Sequence, residues 1–236
     1  MKRLEKLYEG KAKIIYSTED PDRVIQYFKD DASAFNGIKK GTIVDKGVIN
    51  NHISSRIFRF LEENGIPTHF VDQPTDREMV TKKLEIIPVE VVLRNVVAGS
   101  LAKRMGKPEG EILSRPILEF YYKDDELGDP MINEYHITVF NLASAEEIEV
   151  LKTQGLKVNG LLVDFFKARN IRLVDFKLEF GRHKGEIFLG DEISPDGCRL
   201  WDWETGEKMD KDRFRFDLGK VEESYQEVYN LICKED

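Results

Sequence analysis

The chain has 236 residues, 41% hydrophobic and 34% charged, with a formal net charge of -8. That suits one large or two small domains with a wet surface. The acidic balance speaks against general nucleic-acid or membrane-surface binding, which needs a basic face, and no apolar stretch approaches the length of a membrane span.

In chain order, Lys6 to Tyr16 carries a hairpin signal at Glu9-Gly10, and Val24 to Phe28 is a short strand. Ile49, Ile53, Ile57, Phe60 and Leu61 recur at helical spacing, and Asn64-Gly65 supplies a stop. Strands resume near Phe70 to Val71 and over Val80 to Ile87, and Pro88 marks a soft boundary. Val89 to Val97 is β-branched and fits a buried strand, followed by a helix for which Ser100 is a fitting N-cap. Ser144 to Glu147 is a capping box ahead of Ile148, Leu151, Val158, Leu162 and Phe165 on one helical face. Val221, Tyr225, Val228 and Ile232 mark a last amphipathic helix. Early strands followed by mixed elements predict an α+β protein, with a β-rich lobe over residues 1–87, a larger lobe over residues 88–236, and a ligand cleft between them.

Phe176, Leu178 and Phe180 alternate with Asp175, Lys177 and Glu179. In a strand this puts an apolar side on one face and two carboxylates around an ammonium on the other. Gly181 to Gly185 reads as the hairpin break. Pairing Phe180 with Glu186 would set Asp191 opposite Asp175. Acids gathered so closely call for cations among them, and carboxylates suit Mg²⁺ arriving with substrate phosphates. A wet antiparallel face with no ligand is the competing reading.

Other segments carry similar alternatives. Lys11 and Lys13, beside Gly10, can lie over phosphates or simply face solvent. Arg94 and Ser100 flank a strand-to-helix turn, a ready anion site or a plain helix start. Asp124 to Asn133 is an acidic turn-rich loop. Arg199, Arg213 and Arg215 are forks for phosphate or carboxylate, or for nearby acids. Trp201 and Trp203 read as packing. Cys198 and Cys233 lack metal spacing and read as idle thiols of a reducing cytosol, and the four histidines show no ligand pattern.

Tyr8-Glu-Gly-Lys-Ala-Lys13, Pro88-Val-Glu-Val-Val-Leu-Arg94, Ala98-Gly-Ser100, Gly128-Asp-Pro-Met131, Asp175-Phe-Lys-Leu-Glu-Phe-Gly181, Asp191-Glu-Ile-Ser-Pro-Asp196 and Asp210-Lys-Asp-Arg-Phe-Arg215 occur in this order along nearly the whole chain. Together they resemble the SAICAR synthetase (phosphoribosylaminoimidazole-succinocarboxamide synthase) family. The pair Asp175 to Gly181 and Asp191 to Asp196 is the most specific part. Ser33-Ala-Phe-Asn36-Gly37 is similar too, although some members carry an acid at Asn36.

The resemblance implies an ATP-grasp-like fold with a kinase-like N-terminal lobe and a cytoplasmic, homodimeric ligase of purine biosynthesis. Its substrates would be ATP, L-aspartate and carboxyaminoimidazole ribonucleotide, with Mg²⁺ as cofactor. It implies that Lys11, Ala12 and Lys13 meet the ATP phosphates and that Lys82 and Leu84 meet adenine. Glu179 and Asp191 would hold metal and nucleotide. Lys177 and Asp175 would be catalytic. Arg94, Ser100, Asp129, Arg199 and Arg215 would bind the ribonucleotide. Residues 32–40 would form a mobile loop that also meets aspartate. A small-molecule kinase and a nucleotide sensor are the competing functions; kinase His-Arg-Asp and Asp-Phe-Gly signatures are missing from the sequence.

Overall fold

The computed structural model describes residues 1–34 and 38–234. Asn36, and with it the middle of the expected mobile loop, lies outside the described residues. The flanks of that loop, β4 (Asp31–Ala34) and β5 (Lys39–Thr42), pair as a two-stranded ribbon.

The fold is α+β and rests on two larger antiparallel sheets. The first contains β1 (Lys6–Glu9), β2 (Lys13–Ser17), β3 (Arg23–Phe28), β6 (Phe70–Thr75) and β7 (Glu78–Lys82), in the order β1-β2-β3-β7-β6. Helix α1 (Lys46–Glu63) packs on it through Ile49, Ile53, Ile57 and Leu61, which are all buried. The helical spacing predicted this element, and Asn64 closes it.

The second sheet is built around β8 (Glu85–Val96) and β11 (Ile171–His183), which run side by side at its centre. Between them in sequence come α2 (Gly99–Met105), β9 (Ile112–Tyr122), β10 (Met131–Ile132), α3 (Glu134–Val139) and α4 (Ala145–Lys167). Ser144 caps α4, with Glu147 completing the capping box. Ile148, Leu151, Val158, Leu162 and Phe165 turn inward from α4 as the spacing required. The core face of β11 supplies Phe176, Leu178 and Phe180, each at most 1% exposed. Burial of an aromatic or leucine side chain of this kind contributes roughly 2–3 kcal/mol. After β12 (Glu186–Leu189) and β13 (Cys198–Asp202) come the short α5 (Asp212–Arg215) and α6 (Val221–Cys233). Tyr225, Val228 and Ile232 are the buried face of α6.

Three local expectations change. Val80 to Ile87 is not one strand: β7 ends at Lys82 and β8 begins at Glu85, so the chain changes sheet at residues 83–84. Pro88 lies inside β8, at an irregularity where β8 passes from Ile86 to Glu90 while β11 advances only from Gly181 to Glu179. A bulge tolerates a residue with no N–H to donate.

The hairpin register also differs. Phe180 pairs with Leu189 and His183 with Glu186, so the turn is the two residues Lys184-Gly185, both at positive φ (52° and 84°). Gly181 is part of the strand. A Cβ there would stand 2.7 Å from Leu84 Cβ and 2.9 Å from the Glu85 carbonyl oxygen, so glycine permits a close crossing rather than a turn. Asp191 therefore does not lie opposite Asp175; Arg94 and Arg199 occupy the two paired positions there.

Candidate active site

One edge of β11 is shared by two partners: β13 pairs with residues up to Phe176, and β12 with residues from Phe180. The gap between them is bridged by the loop of residues 190–197, where Gly190 N–H donates to the Glu179 carbonyl (2.8 Å) and Lys177 N–H to that of Gly197 (3.2 Å). This crossing brings Asp191 beside Lys177 and Glu179, although not by the register expected from the sequence.

Two charged clusters result on the polar side of β11, where Asp175 and Glu179 are themselves buried. In the first, Lys177 Nζ donates to Glu179 and to Glu90 Oε1 (2.8 Å), and lies 3.8 Å from Asp191 Oδ2. Lys13 Nζ donates to Asp191 and sits 3.2 Å from Glu192 Oε2. Lys123 Nζ donates to Glu179 Oε1 (2.9 Å). Burial pulls the Lys177 ammonium toward neutrality, but the Glu179, Asp191 and Glu90 charges outweigh it and hold its pKa well above the ordinary lysine value. Burial pushes the Asp191 carboxyl up, yet Lys13 and Lys177 bring it far below the usual carboxylate range. Glu90 moves the other way: burial raises it, and Lys177 only partly offsets this.

The second cluster surrounds Asp175. Arg94 Nη1 donates to Asp175 Oδ2 (2.7 Å), and Arg199 Nη1 to both Asp175 oxygens (3.0 Å each). Arg94 also spends Nε on Glu119 (2.6 Å) and Nη2 on Ser100 Oγ (3.0 Å) and the Tyr121 hydroxyl (3.2 Å). At 4% exposure it is a keystone that sets Asp175 and Ser100. Arg104 approaches the same Ser100 and Tyr121 hydroxyls from the exposed side (3.3 and 3.0 Å). Ser100 is not the cap of α2: Ala98 is, and the Gly99 N–H at the helix start already donates to Glu109 Oε1 (3.0 Å). That N–H is thus taken, while Arg94 and Arg199 stand beside the same turn.

The other sequence-selected residues lie around these clusters. Lys11 and Ala12 are in the β1–β2 turn, not on a strand, and Lys11 Nζ reaches Asp125 of the acidic loop (2.6 Å). Asp129 accepts from Asp124 N–H (2.9 Å) and adds to the negative surroundings of Glu90. Lys82 donates to the Thr68 carbonyl (2.9 Å) and lies over Phe188 (4.9 Å). Leu84 rests on Gly181 and Gly190 at the link between sheets. Arg215 Nη1 donates to Asp212 Oδ1 (2.5 Å). Arg213 turns away, donating to the Gly219 and Lys208 carbonyls (2.8 Å each) and to Glu207 (2.7 Å).

Sequence reasoning missed Lys123, Glu90, Glu119 and Asp212. A lone acid inside a β-branched run was an available signal for Glu90. Lys123 and Glu119 meet the clusters only through strand pairing. The two tryptophans pack as expected: Trp201 is buried, and Arg172 and Lys167 cover Trp203.

Lysines among carboxylates at one end of β11, and arginine forks from β8 and β13 at the other, are donors of the kind that suit phosphates and carboxylates, set in an α+β scaffold. The SAICAR synthetase family model matches residues 6–232. A phosphoribosylaminoimidazole-succinocarboxamide synthase from Chlorobaculum parvum is 59% identical over 235 residues, covering the full length of both chains. The crystal structure of such a synthase from Ehrlichia chaffeensis superposes with a TM-score of 0.95 at 48% identity, covering 98% of this chain and all of that one. A SAICAR synthetase solved in complex with ADP gives 0.94 at 51% identity, over 97% and 98% of the two chains. The chain belongs to the SAICAR synthetase family, and it is a carbon–nitrogen ligase of purine biosynthesis. Among the described residues, no helix is long and apolar enough to cross a membrane.

Proposed function

We propose that the enzyme joins L-aspartate to 5-amino-1-(5-phosphoribosyl)imidazole-4-carboxylate at the expense of ATP, through an acyl phosphate. The observation that carries this reading is the gathering of a lysine cluster around Glu179 and an arginine cluster around Asp175, two carboxylates of one strand, β11.

A carboxylate does not condense with an amine unaided, because its oxygen is a poor leaving group. A carboxylate oxygen attacks the γ-phosphorus and ADP departs. The aspartate amine then attacks the carbonyl carbon, loses a proton, and inorganic phosphate leaves with that oxygen. Such phosphoryl transfer depends on positioning and charge neutralisation more than on covalent help. Lys177, held protonated, neutralises the transferring group. Lys13 and Lys11 cover the nucleotide phosphates, with Ala12 between them, and Lys82 and Leu84 flank adenine. Asp175, fixed by Arg94 and Arg199, positions the ribonucleotide together with Ser100, Asp129 and Arg215.

Mg²⁺ fits the donor set. Glu179 and Asp191 are carboxylate oxygen donors close to Lys177, and among the described residues no cluster of three metal-ligating side chains stands ready. Two carboxylates with substrate phosphates suit a hard cation that keeps much of its own shell. When bound, the ion would supply charge neutralisation at the phosphates.

The two sheets act as lobes of an ATP-grasp-like fold with nucleotide between them, and the chain passes from one to the other at residues 83–84, just ahead of the boundary expected at Pro88. The enzyme works in the cytoplasm as a homodimer.

The test is ADP release measured with each co-substrate omitted, together with ¹⁸O in the ribonucleotide carboxylate. Release requiring both aspartate and ribonucleotide, with one ¹⁸O passing to phosphate, is expected. Full-rate release without aspartate, yielding a stable phosphorylated product, would make the enzyme a kinase instead.

A further inference from the structure

We propose that Asp212 is a positioning residue that sets Arg199 and Arg215 as two arms of one anion clamp. The inference rests on the reading of these arginines as ribonucleotide ligands.

Arg199 comes from β13 and Arg215 from the last turn of α5, sixteen positions later in the chain. One carboxylate joins them. Asp212 Oδ2 accepts from Arg199 Nε (2.9 Å), and Oδ1 accepts from Arg215 Nη1 (2.5 Å). The carboxylate itself is 1% exposed, whereas the arginine side chains keep 20% and 27% of their surface. A sheltered acid thus takes one N–H from each fork, while both forks keep part of their surface exposed. Guanidinium forks recognise phosphate and carboxylate in pairs of parallel bonds, so fixing their planes matters as much as their charge.

Arg199 is held on two further sides. Asp175 accepts from its Nη1, and its guanidinium lies over Gly99, where a Cβ would stand 2.6 Å from Nη2. Arg215 has no comparable second anchor among the described residues' hydrogen bonds, so Asp212 is what ties it to Arg199. Asp212 is also fastened from below, its N–H donating to Asp210 Oδ1 (2.7 Å), while Lys208 stands 3.9 Å from Oδ2.

Asp212 is therefore too enclosed to meet substrate and acts through its partners. Its removal should weaken ribonucleotide binding selectively. In Asp212→Asn the amide keeps the shape but can accept from only one arm, so the other is set free. We expect the ribonucleotide KM to rise about tenfold, with kcat and the ATP KM changed less than about threefold. Because clamp and arms act as a unit, Asp212→Asn combined with Arg215→Lys should be no worse than the more damaging single variant.

Arg199→Lys and Arg215→Lys test the underlying reading by themselves. If neither changes the ribonucleotide KM, these arginines are not its ligands, and the clamp falls with them. If both raise it while Asp212→Asn does not, the reading of the arginines stands and Asp212 has no positioning role. Equal losses toward ATP and ribonucleotide in Asp212→Asn, with a lowered melting midpoint, would show a merely structural role and overturn the proposal. Should Asp212→Asn fail to fold, Asp212→Glu keeps the charge and shifts it by one methylene. A selective rise in ribonucleotide KM is expected there too, and an unchanged value would overturn the clamp.

Discussion

The two ends of the polar face of β11 use the same charges in different ways. Around Glu179 the cations are all lysines: Lys13, Lys123 and Lys177, each a point charge on a flexible stem. Around Asp175 they are all arginines, Arg94 and Arg199, with donors locked in planar forks. Lysine suits a place where charge must be followed as it moves between groups. Arginine suits a place where one anion must be held in a single orientation. On the proposed function, chemistry belongs to the lysine end and recognition to the arginine end.

The strongest way to break this contrast is Lys177→Ala. If the lysine end does the chemistry, kcat should fall on the order of a thousandfold while nucleotide affinity changes only several-fold. Single-turnover rates and nucleotide titrations separate the two, and a near-normal turnover would remove its transition-state role. At the arginine end, Gly99→Ala should act through KM. The alanine methyl would push Arg199 aside, at a residue whose φ of +52° also disfavours a side chain. A ribonucleotide KM raised about tenfold and a stability loss of about 1–2 kcal/mol are expected. An unchanged KM would show that Arg199 can relocate without consequence.

The smallest effect concerns acid, and it should have opposite signs at the two ends. His69, below the lysine end, has its pKa lowered to about 3 by burial and then by the Lys13 charge. The unfolded chain therefore binds a proton that the fold refuses, and this contribution to stability is lost as pH falls from 6.5 toward 3. Asp210, below the arginine end, is pushed up to about 7 by burial and then by the Asp212 charge. Here the fold keeps a proton that the unfolded chain gives up, so the contribution is lost as pH rises from about 4 through 7. Between pH 5 and 6.5 the two slopes oppose, each at about 1 kcal/mol per pH unit. Urea unfolding of His69→Gln should show stability falling more steeply with rising pH than the parent. Asp210→Asn should show the reverse, and matching slopes for both variants would discard the contrast.

The sequence made the alternating face of β11 legible, because a period of two survives any surroundings. The helices α1, α4 and α6 were equally open to reading, since each turns a regular apolar stripe inward. The hairpin register was not. Gly181 looked like a turn glycine, but its missing side chain is required by Leu84 crossing from the other sheet, a contact between residues 97 positions apart. Lys123 and Glu119 escaped for a related reason: Glu179 and Arg94 reach them from other elements, so nothing beside them in sequence announces the contact, and Asp212, whose Arg215 is a neighbour on α5, escaped because Arg199 comes from β13. Asp191 does come beside Lys177, but not by the register expected, because a loop bridging a gap in strand pairing leaves no periodic trace.

The gap on β11 also fixes a length. Asp175 and Glu179 stand four residues apart on one extended strand, about 13 Å by the rise of a β-strand. Phe176, Leu178 and Phe180, buried between and beyond them, hold that strand in the core. The interval is therefore set by backbone that the core holds in place. On the proposed function, the enzyme thus carries a gauge cut into its backbone, against which the span of a ligand between its anionic ends would be measured.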